Sequence, residues 1–592
     1  MQKILKYPFT HLNKSQPFFT KTKIGLGLGA GFSYILYRQG RERYQQMHFS
    51  SMYNQIPDTE ALTQEYFGEK NSKQLSLFQR MIQSLRRKIR FMHLLLKFLP
   101  LAIALPFSLI FKAYLFPYWL KYLVYTLQSA GPLWIKLGQW ASHRGDIFGE
   151  EIIKALESLR DDTPPHSLEK TNQQFEQAFK KKIKDVFDEF EEKPIASASI
   201  AQVHRAKLNG EYVAIKVRHP DIIDNLVMDI RILYKIANFF SQTLKIKQLG
   251  MPVTFEEFQK TLVNQTDLRF EGRNLKVFCE KFKNNPHVIF PRPIEEYISA
   301  DILTETYEDA IPLTQFLKQE RTEEHYALAN LGLKAFYKML IYDNFIHADC
   351  HAGNIMIRIK DLPVPKTFNE KVQQQLWFLQ DSVYEIVDDL IEKGLTKIAE
   401  YQTSSQTMDQ GNMLKLKQEK KSDERLFHTF LRCQGSTRKD VQIIFLDPGM
   451  ITILNKSDRA SFIKLVMFVT LRKPYECGKL MLQLAQYNQR QIEQKVQDKF
   501  MKEMQDLFTN VCKVPLAQMN IGQVLRSMLE ILRANGMSIE GHFAALLTNM
   551  IVLEGLAKTL DPDLNIVAKA ASFIIHIRTI DKTIDEIIQQ AL

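Results

Sequence analysis

Apolar positions along this chain come first in two long runs, then at four-residue spacing, then in short strand-like stretches, and finally at helical spacing to the end. The first run, Ile24 to Tyr37, is uncharged between Lys23 and Arg38 and carries Gly25, Gly27, Gly29 and Gly31. It is shorter than the roughly 20 residues of a usual membrane span, and reads as an anchor or as a buried or cleaved segment. Its glycines are not a phosphate loop, since no predicted strand precedes them. The second run, Phe98 to Leu120, contains Lys112 and the prolines Pro100, Pro106 and Pro117. These predict an interfacial or broken helix, with Lys97, Lys112 and Lys121 reaching towards headgroups.

Between Leu127 and Asp146, LQSAGPLWIKLGQWASHRGD places Lys136 and Gln139 three apart on one helical face. Taken alone, that segment is explained by a satisfied structural pair. After RDDTPPH, Phe175, Phe179, Ile183 and Phe187 recur every four residues and predict an amphipathic helix ending near Glu191. PIASASIAQVHRAKLNGEYVAIKV then reads as small-residue loop, strand, Asn-Gly turn and strand. Helical spacing returns over Ile222 to Lys245 and Phe255 to Phe282, and PHVIFPRPIEEYISADILTETY supplies two more short strands. From Leu313 the pattern is helical except at Ile355 to Ile359 and Val441 to Leu446, which flank a long insertion. Within it Val372, Leu376, Leu379, Val383, Ile386 and Leu390 keep helical spacing, whereas Gln402 to Arg425 is polar and predicts a mobile loop. The expected class is α+β: a small sheet holding a helix, then a mostly helical half.

At 592 residues the chain is long enough for two to four folded units. Lys and Arg number 78 against 66 Asp and Glu, a net charge of +12. That excess suits nucleic acid, an anionic membrane or a basic organelle, and the absence of a nucleic-acid motif favours the last two. Lys3, Lys6, Lys14, Lys21, Lys23, Arg38 and Arg41 all precede Glu42, the first acidic residue, which is the charge pattern of a mitochondrial presequence. Cys279, Cys350, Cys433, Cys477 and Cys512 are scattered, with neither disulfide nor zinc spacing.

Phosphoryl transfer requires held phosphates, a positioned cation pair, bound magnesium and an oriented nucleophile. The strand VAIK ends in Lys216, where kinases reach the phosphates, and Glu271 in QTDLRFEGRN is its candidate partner. FIHADCHAGNIMI sets His347, Asp349 and Asn354 at the offsets of a kinase catalytic loop. A rival reading joins His347, Asp349 and His351 as a metal site, but lacks a fourth ligand. In IIFLDPGM, Asp447 follows an apolar strand, the place of a magnesium-binding Asp. The loop expected over the phosphates is Ala196, Ser197, Ala198, Ser199, Ile200 and Ala201; alanine lacks glycine's freedom at positive φ, so its backbone path differs from a Gly-rich loop.

In this order, these residues resemble the UbiB/AarF-domain atypical kinases linked to coenzyme Q. KLGQ at Lys136 to Gln139 looks like that family's KxGQ motif, and Ala196 to Ala201 like its alanine-rich loop; the match runs from about Ala130 to Gly449. The resemblance implies a two-lobed protein-kinase-like fold with an N-terminal helical extension, and ATP with Mg2+ as cofactors. It implies nucleotide contacts from Ala196 to Ala201, Lys216, Thr306 and Tyr307, catalytic roles for Asp349, Lys216 and Glu271, and metal ligands in Asn354 and Asp447. The KxGQ helices are expected to cross the active site, which makes Lys136 and Gln139 functional.

Where many members have ExD, this chain has Gln265, Thr266 and Asp267, and about ninety residues separate Asn354 from Asp447. The first departure weakens the expected coupling between the KxGQ helix and the nucleotide site. The expected layout is a targeting-like segment over 1–23, a membrane-associated region over 24–120, the KxGQ extension over 121–192, an N-lobe over 193–308, and a C-lobe over 309–592 with an insertion at 360–440. The implied activity is an ATPase or a lipid- or small-molecule-directed kinase at the inner mitochondrial membrane, with membrane lipids and quinone-biosynthesis proteins as partners and no nucleic acid. A silent nucleotide-binding scaffold is the alternative. A conventional protein kinase ranks below both, since only GMITILNKSDRASF follows Asp447 before helix resumes. Oligomeric state stays open.

Overall fold

The computed structural model describes residues 77–159, 163–220, 222–243, 265–283, 285–361, 439–488, 493–513 and 520–562, with Leu262, Leu564, Ile566, Lys569 and Ala570. The presequence-like start, the Ile24 to Tyr37 run and the insertion helix and loop lie outside those residues.

Helix α1 (Leu77–Ile110) keeps Pro100 and Pro106 within its length, and the chain breaks instead at Phe111 before α2 (Lys112–Ala130). The expected broken helix is therefore a helical pair. Trp119 of α2 donates its indole N–H to Leu101 O of α1 at 2.9 Å. The lysines turn back onto the protein: Lys97 donates to Ser129 O, Lys112 pairs with Glu151 at 3.2 Å, and Lys121 lies 5.9 Å from the Tyr118 ring. Gly131, at φ +112, makes the left-handed corner into α3 (Pro132–Ser142), which starts on a proline whose missing N–H costs nothing there. Helix α3 carries Lys136 and Gln139, and α4 (Glu150–Leu156) follows.

The four-residue spacing from Phe175 to Phe187 proves to be two helices. Helix α5 (Leu168–Phe179) stops at Lys180, which adopts φ 57, and α6 (Ile183–Val186) leads into β1 (Glu189–Phe190). Phe175, Ile183 and Phe187 are nonetheless all buried, packed with Tyr297, Val213, Ile215 and Val217. The spacing reported the buried face correctly but not the left-handed break.

The predicted small-residue loop is partly strand: β2 (Ala196–Ser197) pairs with β3 (Ala201–Leu208), leaving a tight turn at Ala198 to Ile200. Asn209, at φ 51, and Gly210, at φ 83, turn β3 into β4 (Glu211–Arg218), as Asn-Gly predicts. Helices α7 (Ile222–Thr243) and α8 (Leu268–Phe282) and the short β5 (Val288–Ile289) precede β6 (Pro293–Ile298) and β7 (Ile302–Thr306). The first sheet runs β1-β3-β4-β7-β6, with β2 beside β3. Alternation fixes its two faces. Val213, Ile215 and Val217 bury against α5 and α6, so Ala214 and Lys216, with their cross-strand neighbours Glu305 and Leu303, lie on the other face.

Beyond β8 (Ile311–Pro312) the chain forms α9 (Leu313–Phe316), α10 (Glu323–Tyr337), β9 (Ile346–His347) and β10 (Ile355–Asp361), and resumes with β11 (Lys439–Phe445) and β12 (Ile451–Thr452). Strands β10 and β11 are antiparallel neighbours in register from Ile355↔Phe445 to Asp361↔Lys439, so residues 362–438 leave and rejoin at one end of a hairpin. The rest is helical: α11 (Lys456–Thr470), α12 (Pro474–Asn488), α13 (Gln494–Lys513), α14 (Ile521–Ala534) and α15 (Gly541–Leu560). Helix α15 is a core helix, with Phe543, Ala544, Leu546 and Leu547 all buried.

Candidate active site

Lys216 emerges from β4 towards two carboxylates. Its Nζ lies 2.8 and 2.9 Å from the oxygens of Glu271, in the first turn of α8, and 3.2 Å from Asp447 Oδ1, in the loop after β11. Burial alone would lower the Lys216 pKa, but Asp447 and Glu271 together raise it, so the ammonium stays charged. For Asp447 burial works upward and is overcome by Lys216 and then Lys136, which hold its carboxyl well below the usual range. Burial pushes Glu271 up to about 7 even against Lys216. Of the two carboxylates facing the lysine, Asp447 thus carries the settled negative charge. It adopts φ 53, a left-handed conformation that Asp tolerates better than most residues, and its side chain remains 49% exposed, on a side open to a cation.

The catalytic-like loop is anchored by His347, whose Nε2 donates to Leu446 O at 3.0 Å while Nδ1 accepts from Asp349 N–H at 3.2 Å. With both ring nitrogens engaged to backbone and the ring fully buried, His347 cannot serve in a metal triad with Asp349 and His351. Asn354 donates its amide to Asp349 O and Oδ2, at 3.1 and 3.3 Å, which leaves its carbonyl oxygen available to a metal. Leu446 N–H donates to Asn354 O at 2.8 Å, so the β10–β11 pairing brings Asn354 beside Asp447. Two amides from distant helices hold these loops: Asn274 donates to Pro448 O at 2.8 Å and Asn549 to Ala348 O at 2.9 Å.

The alanine-rich turn closes by Ala198 N–H donating to Ala201 O at 2.8 Å. The hydroxyls of Ser197 and Ser199 are shut from solvent and have no hydrogen-bond partner. Ser197 pairs with Gln202, and Gln202 with Val217, so the Ser197 side chain stands on the face turned to α5 and away from Lys216. The charged lysine and the ionised Asp447 fit an anionic nucleotide bound through a divalent cation.

Helix α3 packs Leu133, Trp134 and Ala141 into the same apolar cluster as Ile200 of the turn and Ala201 of β3. Trp134 Nε1 and Arg90 both reach Asp229 of α7, at 3.2 Å and at 2.7 to 2.8 Å. The Lys136 charge acts on Asp447. The KLGQ lysine is therefore within electrostatic reach of the metal-type carboxylate. Asp267 is buried, caps α8 by accepting from Arg269 N–H at 3.1 Å, and pairs with the Arg269 guanidinium at 2.6 Å. Gln265 is half-buried one turn earlier, and Gln139 accepts through its backbone from Ser142 and His143, at 2.6 and 2.8 Å.

The side chains of Thr306 and Tyr307, implied as nucleotide contacts, have partners of their own in this structure. Thr306 pairs with Val213 across the sheet and so carries its side chain to the face opposite Lys216; its hydroxyl donates to Glu308 at 3.1 Å and accepts from Arg292 N–H at 2.9 Å. Tyr307 holds the Arg205 guanidinium 4.8 Å from its ring rather than standing free. The residue facing Lys216 here is Glu305. Its Oε2 is closed off and unpartnered, and burial, then the Glu271 charge, pushes its carboxyl up to about 8. The period-two alternation with Lys216 through Leu303 was the sequence signal that could have found it.

Residues 158–379 match the ABC1 atypical kinase-like domain and residues 504–565 match the UbiB helical domain. The chain is 33% identical over 470 residues to a protein of Dictyostelium discoideum carrying the name "Probable serine/threonine-protein kinase", covering 77% of this chain and 64% of that one. It is 29% identical over 548 residues to a mitochondrial ABC1 family protein of Schizosaccharomyces pombe, covering 86% and 73%. It is 34% identical over 246 residues to a "Probable protein kinase UbiB" of an Enterobacter species, covering 41% and 45%. The match thus spans less than two thirds of the first and third of these relatives. With Lys216, Glu271, the Asp349 loop and Asp447 gathered on a kinase-like α+β fold, the chain belongs to the ABC1/UbiB family of atypical kinase-like proteins.

Proposed function

We propose that this protein binds Mg-ATP and transfers or hydrolyses its terminal phosphoryl group at a mitochondrial membrane surface, with a lipid or quinone-type molecule as the acceptor class. The contact of one charged lysine with both Glu271 and Asp447 carries the reading, because it puts a phosphate-binding cation beside a metal-binding carboxylate. When bound, magnesium would neutralise phosphate charge. Asp447 and the Asn354 carbonyl oxygen would hold it, and Lys216 would grip phosphate oxygens. Asp349 would orient the acceptor hydroxyl or water and receive its proton.

The membrane part rests on the helical pair. Within Ser84 to Ile110 an 18-residue window has mean hydropathy 1.9, and only 17% of it is buried. Ile110, Tyr114 and Tyr118 are 72%, 78% and 70% exposed. An apolar surface of this extent, rimmed by basic residues of α1 and tyrosines of α2, suits insertion at headgroup level. Mitochondrial placement follows the fission-yeast relative and the basic start of the chain.

A silent scaffold has one observation in its favour: Asp267 is engaged by Arg269 and Gln265 replaces the acidic partner. Magnesium-dependent ATP hydrolysis by the full chain, with and without anionic liposomes, separates the two. Hydrolysis that rises with liposomes supports the enzyme reading. Nucleotide binding without hydrolysis in either condition supports the scaffold.

A further inference from the structure

Behind the alanine-rich turn runs a chain of polar side chains that belongs to none of the sequence motifs. His219, three residues beyond Lys216, grips both ends of the turn: its backbone N–H donates to Ile200 O at 2.8 Å, and its Nε2 lies 2.9 Å from Ala198 O. A carbonyl can only accept, so Nε2 carries the proton and Nδ1 must accept. The neighbour of Nδ1 is His166 Nδ1, at 2.7 Å, which is therefore the donor. His166 Nε2 then accepts from the Thr171 hydroxyl at 3.0 Å, and Thr171 Oγ1 accepts from Gln202 Nε2 at 3.3 Å. Gln202 closes the chain, since its Oε1 accepts from His166 N–H at 2.8 Å. One direction of donation runs from Gln202 to Ala198, and every link in it needs a neutral imidazole. Burial lowers both histidines, His166 to about 4 with the charges of His219, His204 and Lys170 adding to the effect, so both are neutral near pH 7.

We infer that His219, backed by His166 and Thr171, is a positioning residue that fixes the Ala198 to Ile200 turn over the nucleotide site before nucleotide arrives. This rests on the nucleotide reading above. A glycine-rich loop is free to settle around phosphate; this turn is built of alanine, serine and isoleucine, whose side chains restrict the backbone. Holding it beforehand removes an ordering cost from binding. His219 touches no reacting atom and acts through the backbone of the turn.

The test is calorimetric titration of Mg-ATP onto the full chain and onto His219→Leu, His219→Gln and Lys216→Ala. His219→Leu keeps much of the buried volume but removes the donor, and should weaken affinity about fivefold, the worth of one hydrogen bond. His219→Gln retains an N–H for Ala198 O and should return to within about twofold of the parent. Lys216→Ala guards the underlying reading: no binding by the parent, or undiminished binding by Lys216→Ala, sinks the site itself. A parent that binds through Lys216, with His219→Leu unchanged or His219→Gln no better than leucine, overturns the inference alone. Should His219→Leu not fold, amide exchange of the nucleotide-free parent decides. The Ala198 and His219 N–H groups should be protected, and fast exchange at both would contradict a turn fixed in advance.

Discussion

Lys216 Nζ stands 3.2 Å from Asp447 Oδ1, although the lysine lies on the first sheet and the aspartate follows β11 of the β10–β11 pair. The contact joins the two halves of the chain at the point where phosphate and metal would meet. Because Glu271 binds the same ammonium, the pair is held in place without nucleotide. Removing Lys216 leaves the buried Glu271 carboxyl without its cation, which is costly.

Lys136 places a second positive charge on Asp447 from the KLGQ helix. A cation entering beside Asp447 feels that charge as repulsion. Lys136→Ala should therefore lower the magnesium concentration needed for half-maximal nucleotide binding by about threefold, less at high salt. Titrating magnesium at fixed ATP checks this, and a raised requirement would show that Lys136 serves the site in another way.

Glu305 gives the stability a pH dependence. Its carboxyl is raised from 4.5 to about 8 in the folded chain, so its contribution is fully present below 4.5 and is lost as pH rises towards about 8. Glu305→Gln lacks that loss. Melting temperatures of the two proteins between pH 5 and pH 8.5 should draw apart in the variant's favour as pH rises, and parallel curves would mean the carboxyl is already ionised.

Asp349→Asn should reduce turnover about a hundredfold or more while leaving Mg-ATP affinity nearly unchanged, since its role is towards the acceptor and not the phosphates. Single-turnover hydrolysis alongside equilibrium binding separates the two effects. Retained turnover would remove Asp349 from the mechanism.

The paired change Tyr114→Asp and Tyr118→Asp should cut liposome co-sedimentation sharply. Both side chains are exposed, at 78% and 70%, so folding stability should move by no more than about 0.5 kcal/mol per site. Unchanged sedimentation would place the membrane contact elsewhere.

How much of this was legible in the sequence depended on how local each relationship is. Asp349 and Asn354 sit within one short loop, so their spacing already stated their geometry. Lys216 and Asp447 were each legible because an apolar strand delivers them, though neither motif alone shows that they touch. Strand parity hid Glu305 behind Thr306, since naming the cleft-facing residue requires knowing which face of β7 buries. His166 and His219 lie far apart in the chain and meet only because α5 packs across the sheet, so no local pattern announced them. The Phe175 to Phe187 spacing predicted burial correctly and helix continuity wrongly, because burial follows side-chain periodicity while the break at Lys180 is a single backbone angle.

The central claim, that Lys216, Glu271 and Asp447 form a nucleotide and metal site, is tested most directly by measuring nucleotide affinity against magnesium concentration for the parent and for Asp447→Asn. The account predicts that magnesium tightens ATP binding to the parent and that Asp447→Asn removes most of that dependence while still binding nucleotide weakly through Lys216. Equal magnesium dependence in the two proteins would contradict it.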